Sequence, residues 1–145
     1  MVGWVLLAWQ STAVLFVAPG IWSLIMHGLQ LLILWAGVIC LRQTGMARFL
    51  GFTAETANEP SPMITTGCYA VVRHPLYLLG ILFLLLNPVV TTRWIVLTVC
   101  SAAYFIFGAL LEERRMLKQY GKSYQRYQQD VPFLLPRVKR QPSSG

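Results

Sequence analysis

Four runs of this sequence contain no charged side chain: residues 1–18, 21–41, 75–90 and 94–111. Pro19-Gly20 separates the first two, Asn87-Pro88 falls near the end of the third, and Thr91-Thr92-Arg93 precedes the fourth. A helix needs roughly 20 apolar residues to cross the hydrocarbon core of a bilayer. The second and fourth runs meet that length; the first and third are shorter. The chain is 56% hydrophobic and only 12% charged, against about 25% charged in soluble domains. Those proportions argue against a water-soluble globule and against a disordered chain. The expectation is an all-α integral membrane protein: one membrane domain over 1–145, with four transmembrane helices on the four runs. The last two helices form a hairpin, 42–74 is a loop, and 112–145 is a tail. The first run has no basic flank and leads directly into another span, so it reads as mature chain rather than a signal peptide.

Charge placement gives the orientation. The net charge is +7, from 12 Lys+Arg against 5 Asp+Glu. Arg42, Arg48 and Arg73 lie in the 42–74 loop; Arg114, Arg115, Lys118, Lys122, Arg126, Arg137, Lys139 and Arg140 lie after the fourth run. Arg93 alone falls on the other side. The positive-inside rule therefore puts the loop, the tail and both termini in the cytoplasm. Trp4, Trp22 and Trp94 fall near span ends, as an interfacial aromatic belt requires. Topology accounts for the basic excess without a nucleic-acid partner. Cys40, Cys68 and Cys100 are odd in number and lack metal-ligand spacing, so neither a disulfide framework nor a zinc site is expected.

Gln10, His27 and Gln30 lie within the first two spans, where interhelical hydrogen bonding is the expected role. His27 is about 9 Å from the outer end of its span at the helical rise, which places it away from chemistry at the basic side.

Two cytoplasmic segments concentrate the remaining polar chemistry. The 42–74 loop is too long for a simple connector and holds Glu55, Glu59, Pro60 and Pro62. It ends in Arg73-His74-Pro75-Leu76-Tyr77. Pro75 suits a first helical turn, and a residue before proline is pushed out of helical geometry. Arg73 and His74 are thus expected at the positive end of a helix, a natural anion site. The second segment is Glu112-Glu113-Arg114-Arg115. A hairpin descending about 23 Å from Pro75 and climbing about 27 Å from Trp94 returns Glu112 to the level of His74. The acid pair equally suits a solvated face bridged to Arg115. Gly121 marks a helix end after Lys118. Tyr120, Tyr124 and Tyr127, with Lys122 and Arg126 between them, predict an interfacial amphipathic segment.

Together these residues resemble the isoprenylcysteine carboxyl methyltransferase family and its phospholipid methyltransferase relatives. The resemblance rests on Thr66-Gly67-Cys68-Tyr69, Arg73-His74-Pro75-Leu76-Tyr77, Asn87-Pro88, Glu112-Glu113, Tyr120-Gly121, Tyr124, Tyr127, Val131-Pro132 and Pro136, about half of the chain. It implies a multispan enzyme that uses S-adenosylmethionine without a metal. The cofactor pocket is cytoplasmic and closed by the C-terminal tail, and a lipophilic or small acceptor arrives from the bilayer. By match, Met63, Ile64, Tyr69, His74, Pro75, Leu76, Tyr77 and Glu112 contact the cofactor. Its carboxylate suits Arg73 and His74, its amine and ribose suit Glu112, and its adenine suits an Ile64, Tyr69 or Tyr77 wall. Arg73 and Glu113 stand as the candidate catalytic residues. A carboxylate acceptor needs no base, whereas an amine or thiol would lose a proton to Glu113 or His74. Eukaryotic carboxyl methyltransferases of the family carry an arginine one turn before the acid pair, where this chain has Gly108. The chain is more similar to bacterial members, which implies the bacterial inner membrane.

A second reading is a membrane reductase using NADPH, because sterol reductases resemble the same region, including Arg-His-Pro-x-Tyr. The acid pair and the short chain favour the methyltransferase. A third, non-enzymatic membrane subunit, would bind neither cofactor.

Overall fold

A computed structural model describes residues 13–44 and 63–136 of the chain. Strand β1 (Val14–Val17) is followed by helix α1 (Gly20–Thr44), a single turn α2 (Cys68–Val71) and helix α3 (Pro75–Leu85). Strand β2 (Val89–Thr91), helix α4 (Thr92–Tyr120) and helix α5 (Lys122–Asp130) complete the order. Helices dominate, as expected of the class. Two of them, Gly20–Gln43 and Thr92–Tyr120, are long and apolar enough to cross a membrane.

Helix α1 follows the proline-glycine break. Pro19 O accepts Trp22 N–H at 3.0 Å, and Arg42 in the last turn suits the negative helix end. Its 25 residues extend about 37 Å, beyond the roughly 30 Å of a hydrocarbon core. Ile21, Trp22, Leu24, Leu31 and Trp35 are exposed along it. Helix α4 starts where Thr91 Oγ1 accepts Trp94 N–H at 3.1 Å, an N-cap. It ends at Gly121, whose φ of 54° is backbone that glycine adopts without a Cβ penalty. At 29 residues it runs about 43 Å, so its last turns rise beyond the apolar run that ends at Leu111.

The other two expected spans come out differently. Of the first, residues 1–12 lie outside the described residues, with Trp4 and Gln10 among them, and Val14–Val17 is extended and pairs antiparallel with Val89–Thr91. The third run becomes an 11-residue helix of about 16 Å, too short to cross a bilayer alone. Asn87 precedes a proline and is disfavoured in helix, and the β-branched Val89, Val90 and Thr91 then suit a strand. The carbonyls left at the end of α3 find partners on its neighbours. Gln30 Nε2 donates to Phe83 O at 3.2 Å, and Trp94 Nε1 donates to Leu84 O at 2.9 Å. Orphan helix carbonyls must be satisfied, above all away from water. Gln30 thus acts as the expected interhelical bond, and it also contacts His27 Nδ1 at 3.0 Å.

Helix α3 packs between α1 and α4, and α5 folds back on α4. The α3–α4 approach is close at Gly80, where an added Cβ would lie 2.9 Å from the Phe105 ring. Contrary to the sequence expectation, Cys40 and Cys68 are disulfide-bonded, with Cα atoms 5.8 Å apart, which joins the end of α1 to α2. Odd cysteine parity says nothing about which two side chains the fold brings together, and Cys100 is the free one. Beside the bridge, Gln43 Oε1 accepts Cys68 N–H at 3.0 Å. The Tyr stripe of α5 also departs from expectation. Tyr124, Tyr127 and Val131 are buried in a cluster with Met63, Met116, Leu117 and Tyr120. The apolar face of α5 is therefore covered by the chain itself rather than left for a membrane interface. Glu55, Glu59, Arg48 and residues 137–145 lie outside the described residues.

Candidate active site

The start of α3 and the C-terminal part of α4 meet at one place. Pro75 occupies the first turn of α3, and His74 has a non-helical φ of −124°, as the proline requires. The His74 N-cap position makes no side-chain cap hydrogen bond, so the first amides of α3 are uncapped by it. Arg73 Nη1 lies 2.6 Å from Glu113 Oε1, but out of line for a hydrogen bond, so the contact is an ion pair. Arg73 Nε and Nη1 are buried without a hydrogen-bond acceptor. His74 Nε2 lies 3.3 Å from Glu113 Oε1, and His74 Nδ1 lies 3.7 Å from Glu112 Oε2. Neighbouring residues on a helix diverge by about 100°, which separates the two acids. The Glu112 side chain is 49% exposed, whereas that of Glu113 is 13% exposed.

The tail forms one wall. Pro132 O accepts Arg73 N–H at 3.0 Å, and the Phe133 ring sits under the Arg73 guanidinium, 5.6 Å from its centroid. Phe133 also meets His74 edge-on at 5.0 Å. Gln128 Nε2 donates to Glu113 Oε2 at 2.9 Å, and the Tyr127 hydroxyl donates to Tyr69 O at 2.5 Å. The opposite wall is an aromatic stack in which Tyr77 lies against His74 and Phe105, each at 5.7 Å. Gly108, one turn before Glu112, faces this stack: an added Cβ would meet Tyr77 Oη at 3.7 Å.

Burial pushes the His74 imidazole below its ordinary value of 6.5, with Arg73 adding to that and Glu112 and Glu113 pulling the other way. The neutral ring is therefore the resting form at neutral pH. Burial also raises the Tyr127 hydroxyl to about 12 and carries Tyr124 up as well, so both remain neutral donors.

Of the candidate residues read from the sequence, Arg73, His74, Tyr77, Glu112 and Glu113 come together here. Pro75 is buried at the helix start, and Leu76 is half-buried beside it. Met63 packs into the Tyr124–Tyr127–Val131 cluster, Tyr69 gives its carbonyl to Tyr127, and Ile64 is half-buried in the same stretch. Gln128 and Phe133 were missed. Gln128 does carry a signal, since it lies four residues after Tyr124 and so shares that buried face. Among the described residues no group of three or more His, Cys, Asp or Glu side chains could hold a metal ion.

The family model described as phospholipid methyltransferase matches residues 20–123. The chain belongs to this family. The match covers both long helices, α3 and the Arg73–Glu113 centre. Among curated proteins, this phospholipid methyltransferase family member is 34% identical over 76 residues to methanethiol S-methyltransferase of Pseudomonas deceptionensis, covering 52% of this chain and 29% of that protein. It is 32% identical over 98 residues to methanethiol S-methyltransferase 2 of Bradyrhizobium diazoefficiens, covering 68% of this chain and 36% of that protein. The matched region thus spans about a third of the length of these relatives. No solved structure matches. The NADPH-reductase reading finds no support in these matches.

Proposed function

We propose that this chain carries the methyl-donor site of an S-adenosylmethionine-dependent methyltransferase in a membrane, and that its acceptor is a small thiol. The carrying observation is the convergence of Arg73, His74 and Glu112 at one end of the α3–α4 pair, beneath the tail. The residues fit the donor's chemistry. Arg73 has buried donors without an acceptor beside an uncapped helix start, which suits a carboxylate. Glu112 offers a half-exposed carboxylate for an ammonium or ribose hydroxyls. The Tyr77–Phe105 stack offers an aromatic surface for adenine. When bound, the sulfonium supplies an activated methyl group.

The chain's own contribution is orientation and exclusion of water, which an in-line displacement needs most. The Phe133–Pro132 strap and the tyrosine cluster of α5 close the cytoplasmic side. A thiol must also surrender its proton before its sulfur attacks. Glu113 is already engaged by Arg73, His74 and Gln128, whereas neutral His74 has one ring nitrogen free to accept. His74 is therefore the preferred base and Glu113 its anchor, while Arg73 orients the donor. The relatives named for methanethiol support the thiol class.

The full proposal includes a single membrane domain with both termini cytoplasmic in a bacterial inner membrane. It also has α3 and α4 as the hairpin presenting the site. The test supplies membranes containing the protein with methyl-labelled S-adenosylmethionine and methanethiol. Label in a volatile thioether is the expected result. Label in phospholipid or protein would replace the thiol with another acceptor, and binding of NADPH without S-adenosylmethionine would overturn the reading.

A further inference from the structure

The Glu113 carboxylate is held from three sides. Oε1 faces the Arg73 guanidinium and the His74 Nε2 position, and Oε2 accepts from Gln128 Nε2 at 2.9 Å. Two of those groups belong to the Arg73–His74 corner, and the third comes from α5. Helix α5 is itself fixed by its buried tyrosines and by the Tyr127–Tyr69 bond. Gln128 therefore presents its amide from a rigid support. A neutral imidazole has a single N–H. His74 lies between two carboxylates, so either Glu113 takes Nε2–H or Glu112 takes Nδ1–H. The competitors are unequal. Glu113 is nearer, at 3.3 Å against 3.7 Å, and it is buried and gripped from three sides, whereas Glu112 is half-exposed and bonds the Tyr77 hydroxyl.

We infer that Gln128 is a positioning residue: by fixing the Glu113 carboxylate it selects the Nε2–H tautomer of His74 and leaves Nδ1 as the bare nitrogen beside Glu112. The other groups facing the ring are Arg73, Tyr77 and Phe133, and none of them offers a competing acceptor for Nε2–H. The consequence for catalysis rests on the proposed function, because Nδ1 is then the nitrogen that takes the thiol proton. The tautomer choice itself does not rest on it. The same bond makes assembly of the site depend on docking of the tail, since loss of Gln128 releases Glu113 and with it the partners of Arg73 and His74.

The experiment is nitrogen NMR of ring-labelled histidine in the solubilised full chain at neutral pH. The chain has only two histidines, so the His27→Ala variant assigns the His74 signals. The wild type is expected to show His74 protonated at Nε2 alone. Gln128→Ala removes the anchor, and Gln128→Glu keeps its length while removing the donor. Both are expected to give a mixture with a substantial Nδ1–H population, with helicity by circular dichroism unchanged in at least the isosteric variant. Their dissociation constant for S-adenosylmethionine is expected to rise about tenfold, as for loss of one hydrogen bond to a charged group. A wild type protonated at Nδ1, or an unchanged tautomer in both variants, would overturn the inference. Absence of S-adenosylmethionine binding to the wild type would instead remove the functional reading and leave the tautomer result to stand or fall separately.

Discussion

At His74, burial opposes the two glutamates and wins, so the folded protein holds this ring less readily protonated than the unfolded chain does. The sign of the pH dependence follows. Above the ordinary histidine value of 6.5 the ring is neutral in both states and contributes no slope. As the pH falls through that value, the unfolded chain takes up the proton first and stability drops, by at most about 1.4 kcal/mol per pH unit for one proton. Thermal unfolding in detergent from neutral to mildly acidic pH is expected to show this loss in the wild type and a shallower loss in His74→Asn. A wild type that gains stability on acidification, relative to that variant, would contradict it. The family resemblance gave the adjacent acids different roles, but which of them is buried could not be read from the residues. Glu112 and Glu113 are chemically identical, and only the direction each takes from α4 buries one and exposes the other. Arg73 and His74 were legible because Pro75 dictates a helix start and so fixes where they sit.

At the scale of the element, α3 shows why an apolar run is not yet a span. Residues 75–90 are uniformly uncharged, which reads as helix throughout. Asn87-Pro88 and the β-branched residues after it end the helix at Leu85 instead. Its open carbonyls are affordable because Gln30 and Trp94 reach them, and those partners come from other helices, beyond the reach of local pattern. The α3–α4 contact also sets the site, because Tyr77 and Phe105 stack across it one turn from Gly80. Gly80→Val is expected to force the Phe105 ring away, cost about 1–3 kcal/mol by overpacking, and weaken donor binding with it. A melting temperature and donor affinity equal to wild type would show that the close approach carries no weight. Helix α5 teaches the converse lesson. Its tyrosine spacing correctly marked an amphipathic helix, but the period alone could not say whether protein or membrane covers the apolar face.

At the scale of the whole molecule, charge scarcity organises the chain. Long uncharged stretches give α1 and α4 the length to cross a bilayer, and two of the five acids, Glu112 and Glu113, lie on α4 beside the start of α3. The tail then converts an exposed helix end into a closed corner: Tyr124 and Tyr127 dock it, Gln128 grips Glu113, and Phe133 covers Arg73 and His74. The central claim is that this corner holds the methyl donor. Equilibrium binding of labelled S-adenosylmethionine to solubilised wild type, Glu112→Ala, His74→Ala and the remote control His27→Ala tests it most directly. The account predicts saturable binding to the wild type and to His27→Ala, and its loss in Glu112→Ala and His74→Ala with helicity intact. Undiminished binding in both site variants would contradict it.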